Sequence, residues 1–429
     1  MSIDKTSAPR HEAVDAPEAA QGAVTAVDPR LLVQEQGIGG YVTEFKRKIK
    51  AGELGSIPVI IGLILIAAIF TSLNSSFLGA GNITDILVQM SGTGLIATGI
   101  VFVLLLGEID LSVGSVSGLA SAIFAVLGVT HGMNNVLALI IALASGAVAG
   151  AIHGFFFARI GVPAFAVTLA GLLFWSGLML QVLGPAGTIN IPNDNIVYKL
   201  ENYFFSDVAA AYILAVVAVA VYFWASFAQN RSRQKAGIPA RPLSDTILRT
   251  VLVAIAAFGV AIIFNQYKGL PLAVVIFIGL LVITDFVLRR TTYGRKIFAL
   301  GGSVEASRRA GINVTLIRIS VFTISGGFAA LGGLFLASQI AAANQGAGAG
   351  NLLMNSIAAA VIGGTSLFGG RGRTWNALLG VLVIISIQVG LGIQGVAAPI
   401  VSMVTGAVLL ATVVIDAITR KTQRSAGRA

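Results

Sequence analysis

Residues 83–106 read ITDILVQMSGTGLIATGIVFVLLL, and residues 107–114, which follow directly, read GEIDLSVG. A helix rises about 1.5 Å per residue and needs about 20 apolar residues to cross roughly 30 Å of hydrocarbon. The first stretch therefore predicts a membrane-spanning helix. The second interrupts it with Glu108 and Asp110 between glycines. Acids near the bilayer centre are costly, which makes them functional by default unless they lie at an interface. Flanking glycines let a helix break and turn its backbone groups towards a cavity. An interfacial turn whose acids cap the next helix is the competing reading.

Runs of the same kind recur along the chain: Ile57–Leu73, Ile83–Leu106, Leu111–Val129, Val136–Phe157, Val162–Leu183, Val208–Phe227, Leu248–Phe264, Leu270–Leu288, Thr315–Ala337, Leu352–Leu367, Trp375–Leu391 and Ala397–Ile415. The expected fold is all-α, a polytopic transmembrane bundle of about 10–12 helices with broken helices and a weak internal repeat. Composition agrees, with 56% apolar and 11% charged residues, against roughly 25% charged in soluble domains. The net charge of +10 sits in short clusters between apolar runs, a topology pattern and not a nucleic-acid patch. With no cysteine, and with His11, His131 and His153 scattered, neither a metal nor another cofactor is expected.

An even span count puts both termini on one side, and short basic loops face the cytoplasm. The clusters are Lys46, Arg47, Lys48 and Lys50, the stretches Arg231–Arg249 and Arg289–Arg309, Arg371 with Arg373, and Arg420, Lys421, Arg424 and Arg428. All fall on one side, while the alternate loops hold Lys199 and Lys268. The chain thus divides into a cytoplasmic tail (1–55), a membrane domain (56–417) whose halves meet near 229–248, around Pro239 and Pro242, and a basic cytoplasmic tail (418–429). The outside loop Gly184–Asp207 is long enough for a small structured cap. Gly146, Gly150 and Gly154, continued by Ala142 and Ala158, form a small-residue stripe that marks a helix contact face.

A second interruption, residues 363–373 (GGTSLFGGRGR), aligns with the first at Gly107 with Gly363, Leu111 with Leu367 and Gly114 with Gly370. Paired glycine-interrupted spans in two halves point to a transport pathway. No Gly-Lys pair exists for a phosphate loop, so ATP is not expected to bind this chain. In the loop Thr291–Val314, Ser303 can cap a short helix, with Glu305 in its first turn, Arg308 and Arg309 in its last and Gly311 closing it. A formed helix there suits docking of a cytoplasmic partner.

The stretches 107–114, 293–313 (YGRK through EA to GIN) and 357–366 (IAAAVIGGTS) resemble, in order, those of permease subunits of bacterial ABC sugar importers, the ribose, xylose and arabinose group. The similarity extends over roughly Leu54 to Arg420. The long basic central linker and the spans around Leu248–Leu288 look most like xylose permeases. Leu353, Met354 and Asn355 stand where that family usually has Glu-Leu-Asp, removing two acids from the translocation region. The resemblance implies a multi-pass protein of the bacterial inner membrane, not itself an enzyme, moving D-xylose or a related monosaccharide. The implied partners are a cytoplasmic ABC ATPase, a periplasmic sugar-binding protein, a second copy of the chain and membrane lipid, with no nucleic acid. Ser303, Glu305, Arg308 and Arg309 would couple to the ATPase. Asp110, Ser112, Glu108, Asn355 and Gln388 would belong to the pathway. An ion-coupled secondary transporter, suggested by Glu108 and Asp110, is the alternative.

Overall fold

The computed structural model describes residues 57–237 and 243–425. The leader with Lys46, Arg47, Lys48 and Lys50, then Pro239, Pro242, and the side chains of Arg420, Lys421, Arg424 and Arg428 lie outside that description. The elements in order are α1 (Ile57–Leu73), α2 (Ala80–Leu105), α3 (Val113–Phe124), α4 (Asn135–Phe155), α5 (Ala164–Leu183), β1 (Thr188–Asn190), α6 (Lys199–Asn202), β2 (Phe204–Phe205), α7 (Val208–Lys235), α8 (Leu243–Asn265), β3 (Leu270–Pro271), α9 (Leu272–Arg290), α10 (Thr292–Gly302), α11 (Val304–Arg309), α12 (Val314–Gln339), β4 (Ala342–Asn344), α13 (Leu352–Ile362), α14 (Thr374–Ile393) and α15 (Ala398–Ser425). Among the described residues nine helices are long and apolar enough to cross a membrane, and three apolar helices are shorter. Each of the predicted runs coincides with one of them.

Helix starts follow from side chains that accept the free amide N–H groups of a first turn. Asn134 accepts from Val136 at 3.0 Å, Asp207 from Ala209 at 2.9 Å, and Asn313 from Leu316 at 3.0 Å. α3 and α4 each end in a wider π turn reaching Thr130 and Ile160, closed by the bonds His131 N–H to Val126 O and Gly161 N–H to Phe156 O.

α2 is the buried centre of the bundle, with every residue from Met90 to Leu105 inside. α12 crosses both α2 and α4. On the α4 side, Gly146, Gly150 and Gly154 meet the backbone of α12 at Gly326, Phe322 and Ile319, so the small-residue stripe is a contact face. The α7–α8 hairpin is peripheral and turns Trp224, Ile255 and Leu252 outward, as lipid permits.

Alternating helix direction collects Arg159, Arg289, Arg290, Arg308, Arg309, Arg371 and Arg373 at one end, here the basic end. Lys199 and Lys268 lie at the other, where two short antiparallel pairings, β1 with β4 and β2 with β3, stitch distant loops together. That end is the small cap expected from the loop Gly184–Asp207.

One span is cut short, and the chain between α2 and α3 is interrupted. α13 has 11 residues, roughly 16 Å and too short to cross, although its apolar run reads as a full span to Leu367. The loop after β4 dips in to compensate, bringing Gly348 against Gly114 and Ala347 against Gly118 on α3. The interruptions also abut: Gly107 (φ +80°) lies beside the Phe368 carbonyl. Gly363, its counterpart in the repeat alignment, keeps a helical φ of −66°, and the left-handed turn falls one residue later, at Gly364.

Candidate functional site

The interruption between α2 and α3 turns back into the bundle. Asp110 is buried; its carboxylate accepts the Ser112 amide at 3.0 Å, the Ser112 hydroxyl at 2.6 Å and the Ser325 hydroxyl at 3.1 Å. Ser325 lies 11 residues into α12, so Asp110 sits roughly 16 Å along that helix. The span count puts it near the basic end; the bond to Ser325 places it deeper. The Ser112 amide bond closes an Asx turn just before α3.

The network continues to α4 and α5. Ser112 Oγ is 3.2 Å from His153 Nδ1, and Trp175 Nε1 donates to His153 Nε2 at 2.9 Å. An indole N–H can only donate, so Nε2 is the acceptor and the neutral ring carries its hydrogen on Nδ1. The chain of donors then runs from Trp175 through His153 and Ser112 to Asp110. Ser325, His153 and Trp175 are not among the pathway residues expected from the sequence, where His153 figures only as a histidine without metal-ligand spacing. A signal existed for His153 alone, an ionisable residue inside an apolar run.

The remaining pathway candidates are not joined to this network. Glu108 is half-buried nearer the basic end, and burial lifts its carboxyl above the ordinary value, offset in part by the Arg318 guanidinium. That guanidinium lies 4.3 Å from the centre of the Phe157 ring, a cation–π contact. Asn355 on α13 and Gln388 on α14 are half-buried and share no hydrogen bond with the Asp110 group.

At the basic end, Thr291 Oγ1 accepts the Gly294 amide and starts α10, and Tyr293 bonds Ser320 at 2.7 Å to hold α10 on α12. α10 is a helix that the sequence reading leaves as loop. α11 follows as expected: Ser303 Oγ accepts the Ala306 amide at 3.2 Å, and Gly311 (φ +77°) ends the turn. Glu305 and Arg308, 3.5 Å apart, have side chains 68% and 63% exposed, and Arg309 is exposed beside them, so α11 presents its charges outward.

At the opposite end Glu201, in α6, is buried with neither carboxyl oxygen on a protein donor, and burial pushes its pKa well above the usual carboxylate range. A folded-state pKa above the unfolded one gives stability that is full below the unfolded pKa and lost as pH rises towards the folded one. Glu201→Met, similar in length and apolar, is expected to stabilise the protein by about 1–3 kcal/mol at neutral pH. It should also flatten the fall of melting temperature above pH ~5, near the unfolded carboxyl pKa. Melts of detergent-solubilised protein from acid to neutral pH check this; an unchanged slope refutes it.

Known proteins resemble this chain over most of its length. Residues 82–413 match the family model described as "Branched-chain amino acid transport system / permease component". The chain is 32% identical over 375 residues to the xylose transport system permease protein XylH of Haemophilus influenzae, covering 87% of this chain and 99% of that one. It is 33% identical over 375 residues to XylH of Escherichia coli K12, covering 87% and 94%, and 31% identical over 374 residues to the ribose import permease protein RbsC of Bacillus subtilis, covering 87% and 96%. No solved structure matches.

Proposed function

Because the chain belongs to the permease family of branched-chain amino acid and sugar ABC importers, we propose that it carries a pentose, D-xylose first, into the bacterial cytoplasm, using ATP hydrolysed by a partner subunit. Its relatives named for xylose and ribose support a pentose. The basic end faces the cytoplasm, as the positive-inside rule requires, so both termini lie there. A periplasmic sugar-binding protein delivers the sugar at the stitched end, and two copies of the chain work together.

The observation that carries this reading is α11: a capped helix with exposed Glu305, Arg308 and Arg309, at the end of the molecule where the cations collect. It is the docking element for the ATPase. Glu108, Asn355 and Gln388 serve the pathway, where a neutral sugar needs hydroxyl and amide partners more than a proton relay. Asp110 and Ser112, bonded to one another, serve beside it by holding the start of α3 at depth.

Reconstitution in proteoliposomes tests the whole. Xylose uptake should require the ATPase, ATP and the binding protein, and should survive dissipation of ion gradients. Uptake driven by a proton gradient with no ATPase present would replace this reading with ion-coupled transport. Glu305→Arg should leave folding intact, since exposed pairs contribute about 0.2–1 kcal/mol, while uptake falls and hydrolysis continues. Normal uptake and normal sugar-stimulated hydrolysis in that variant would remove α11 from the coupling role.

A further inference from the structure

Backbones from three parts of the chain meet at the basic end, where α2 and α10 finish and the turn between α13 and α14 folds back. Gly301, the next-to-last residue of α10, approaches the Leu105 carbonyl so closely that a Cβ would overlap its oxygen, and that Cβ would stand 2.7 Å from Gly370 N. The same carbonyl accepts the Gly370 N–H at 2.9 Å. A Cβ on Gly369 would lie 2.8 Å from Gly301 O and 2.9 Å from Gly107 N. No side chain cushions these contacts. Close-packed groups transmit strain, and peptide groups, unlike side chains, have no rotamers through which to yield. Gly302, next along α10, faces open space, so the close approach belongs to one face of the helix.

We infer that this junction is a rigid bolt through which displacement of α10 and α11 moves both interrupted segments as one body, with Gly301 as its positioning residue. The inference rests on the proposed docking of an ATPase at α11. From Leu105 the chain runs through Gly107 to Asp110 and the start of α3. From Gly370 it runs back to Thr365 and the end of α13. A push on α11 therefore reaches the start of α3 and the end of α13, and the loop leading into α13 touches α3 again where Gly348 meets Gly114.

The test is Gly301→Ala against Gly302→Ala, each reconstituted with the ATPase and binding protein. Gly301→Ala should still capture the ATPase and hydrolyse ATP, while sugar moved per ATP falls about tenfold or more, the size of a typical coupling free energy. Gly302→Ala should behave as wild type. ATP-driven uptake by the wild type checks the docking reading separately. Its absence sinks that reading and the bolt with it, whereas a Gly301→Ala variant with normal coupling sinks the bolt alone.

A distance measurement decides the matter if Gly301→Ala folds poorly. The chain has no cysteine, a Cβ on Gly302 meets open space and Phe368 is exposed, so spin labels on Gly302→Cys and Phe368→Cys report the separation of α10 from the turn between α13 and α14 in the assembled complex. A bolt predicts one separation with and without ATP. A separation that shifts between the two states overturns the inference.

Discussion

Gly150→Val is expected to leave little or no folded protein in the membrane. A Cβ at this position would overlap the Phe322 carbonyl oxygen and would stand 2.8 Å from its carbon and 3.1 Å from Thr323 Cα. Those atoms are backbone and cannot rotate aside. Relief requires α4 and α12 to separate, along a seam where Gly146 and Gly154 also approach the α12 backbone too closely for a side chain. Overpacking in an ordinary core costs about 1–3 kcal/mol; here the helices must part, so the van der Waals contacts of the whole seam weaken together. In lipid those contacts are much of what holds two helices in place, because the surroundings are as apolar as the side chains. The loss also spreads to the polar network, since α4 carries His153 and α12 carries Ser325. Gly177→Val, on α5 and facing open space, is the control and should accumulate normally. Membrane levels and thermal melts of the two variants settle the point: a Gly150→Val protein that melts like wild type would mean that the seam does not hold the bundle.

Much of this fold is legible from the sequence because lipid imposes strict rules. A crossing helix has to be a continuous apolar run, and cations sort to one side, so the apolar runs and the two ends could be read directly. Capping chemistry is local, which is why Ser303, Glu305 and Gly311 reveal α11 without any tertiary information. α10 is not legible in the same way: Thr292–Gly302 mixes two basic residues with three glycines and fits a plain loop, and its helicity comes from Thr291 capping and from contact with α2 and α12. The apolar run at Leu352–Leu367 looks like any other span, since nothing local says that the preceding loop will enter the bundle beside Gly114. The polar network is the largest omission. Its members lie 41 residues apart at Ser112 and His153 and 215 apart at Asp110 and Ser325, and a single sequence carries no record of such pairings.

Asp110→Leu is expected to cost about 1–3 kcal/mol, the size found when a buried donor is left without its acceptor. Against a total stability of about 5–15 kcal/mol, that is a large share. The carboxylate is the terminal acceptor of the chain of donors. Without it the Ser112 amide, the Ser112 hydroxyl and the Ser325 hydroxyl lose their acceptor at once, in a place water does not reach. The two hydroxyls can turn to carbonyls on their own helices, but the Ser112 amide has no such recourse, and the start of α3 comes loose. Asp110→Asn separates anchoring from charge. Its oxygen can keep both Ser112 bonds while its amide donates to Ser325 Oγ, so the protein should accumulate near normal levels with uptake reduced. His153 offers the cross-check: His153→Leu removes the link from Ser112 to Trp175 while leaving the Asp110 bonds in place, and should destabilise less than Asp110→Leu. If Asp110→Leu accumulates and transports as wild type does, the network is incidental and the depth of α3 is set by Gly114 and Gly348 alone. If Asp110→Asn loses folding as severely as Asp110→Leu, then the negative charge, and not the geometry of the acceptor, is what secures the interruption.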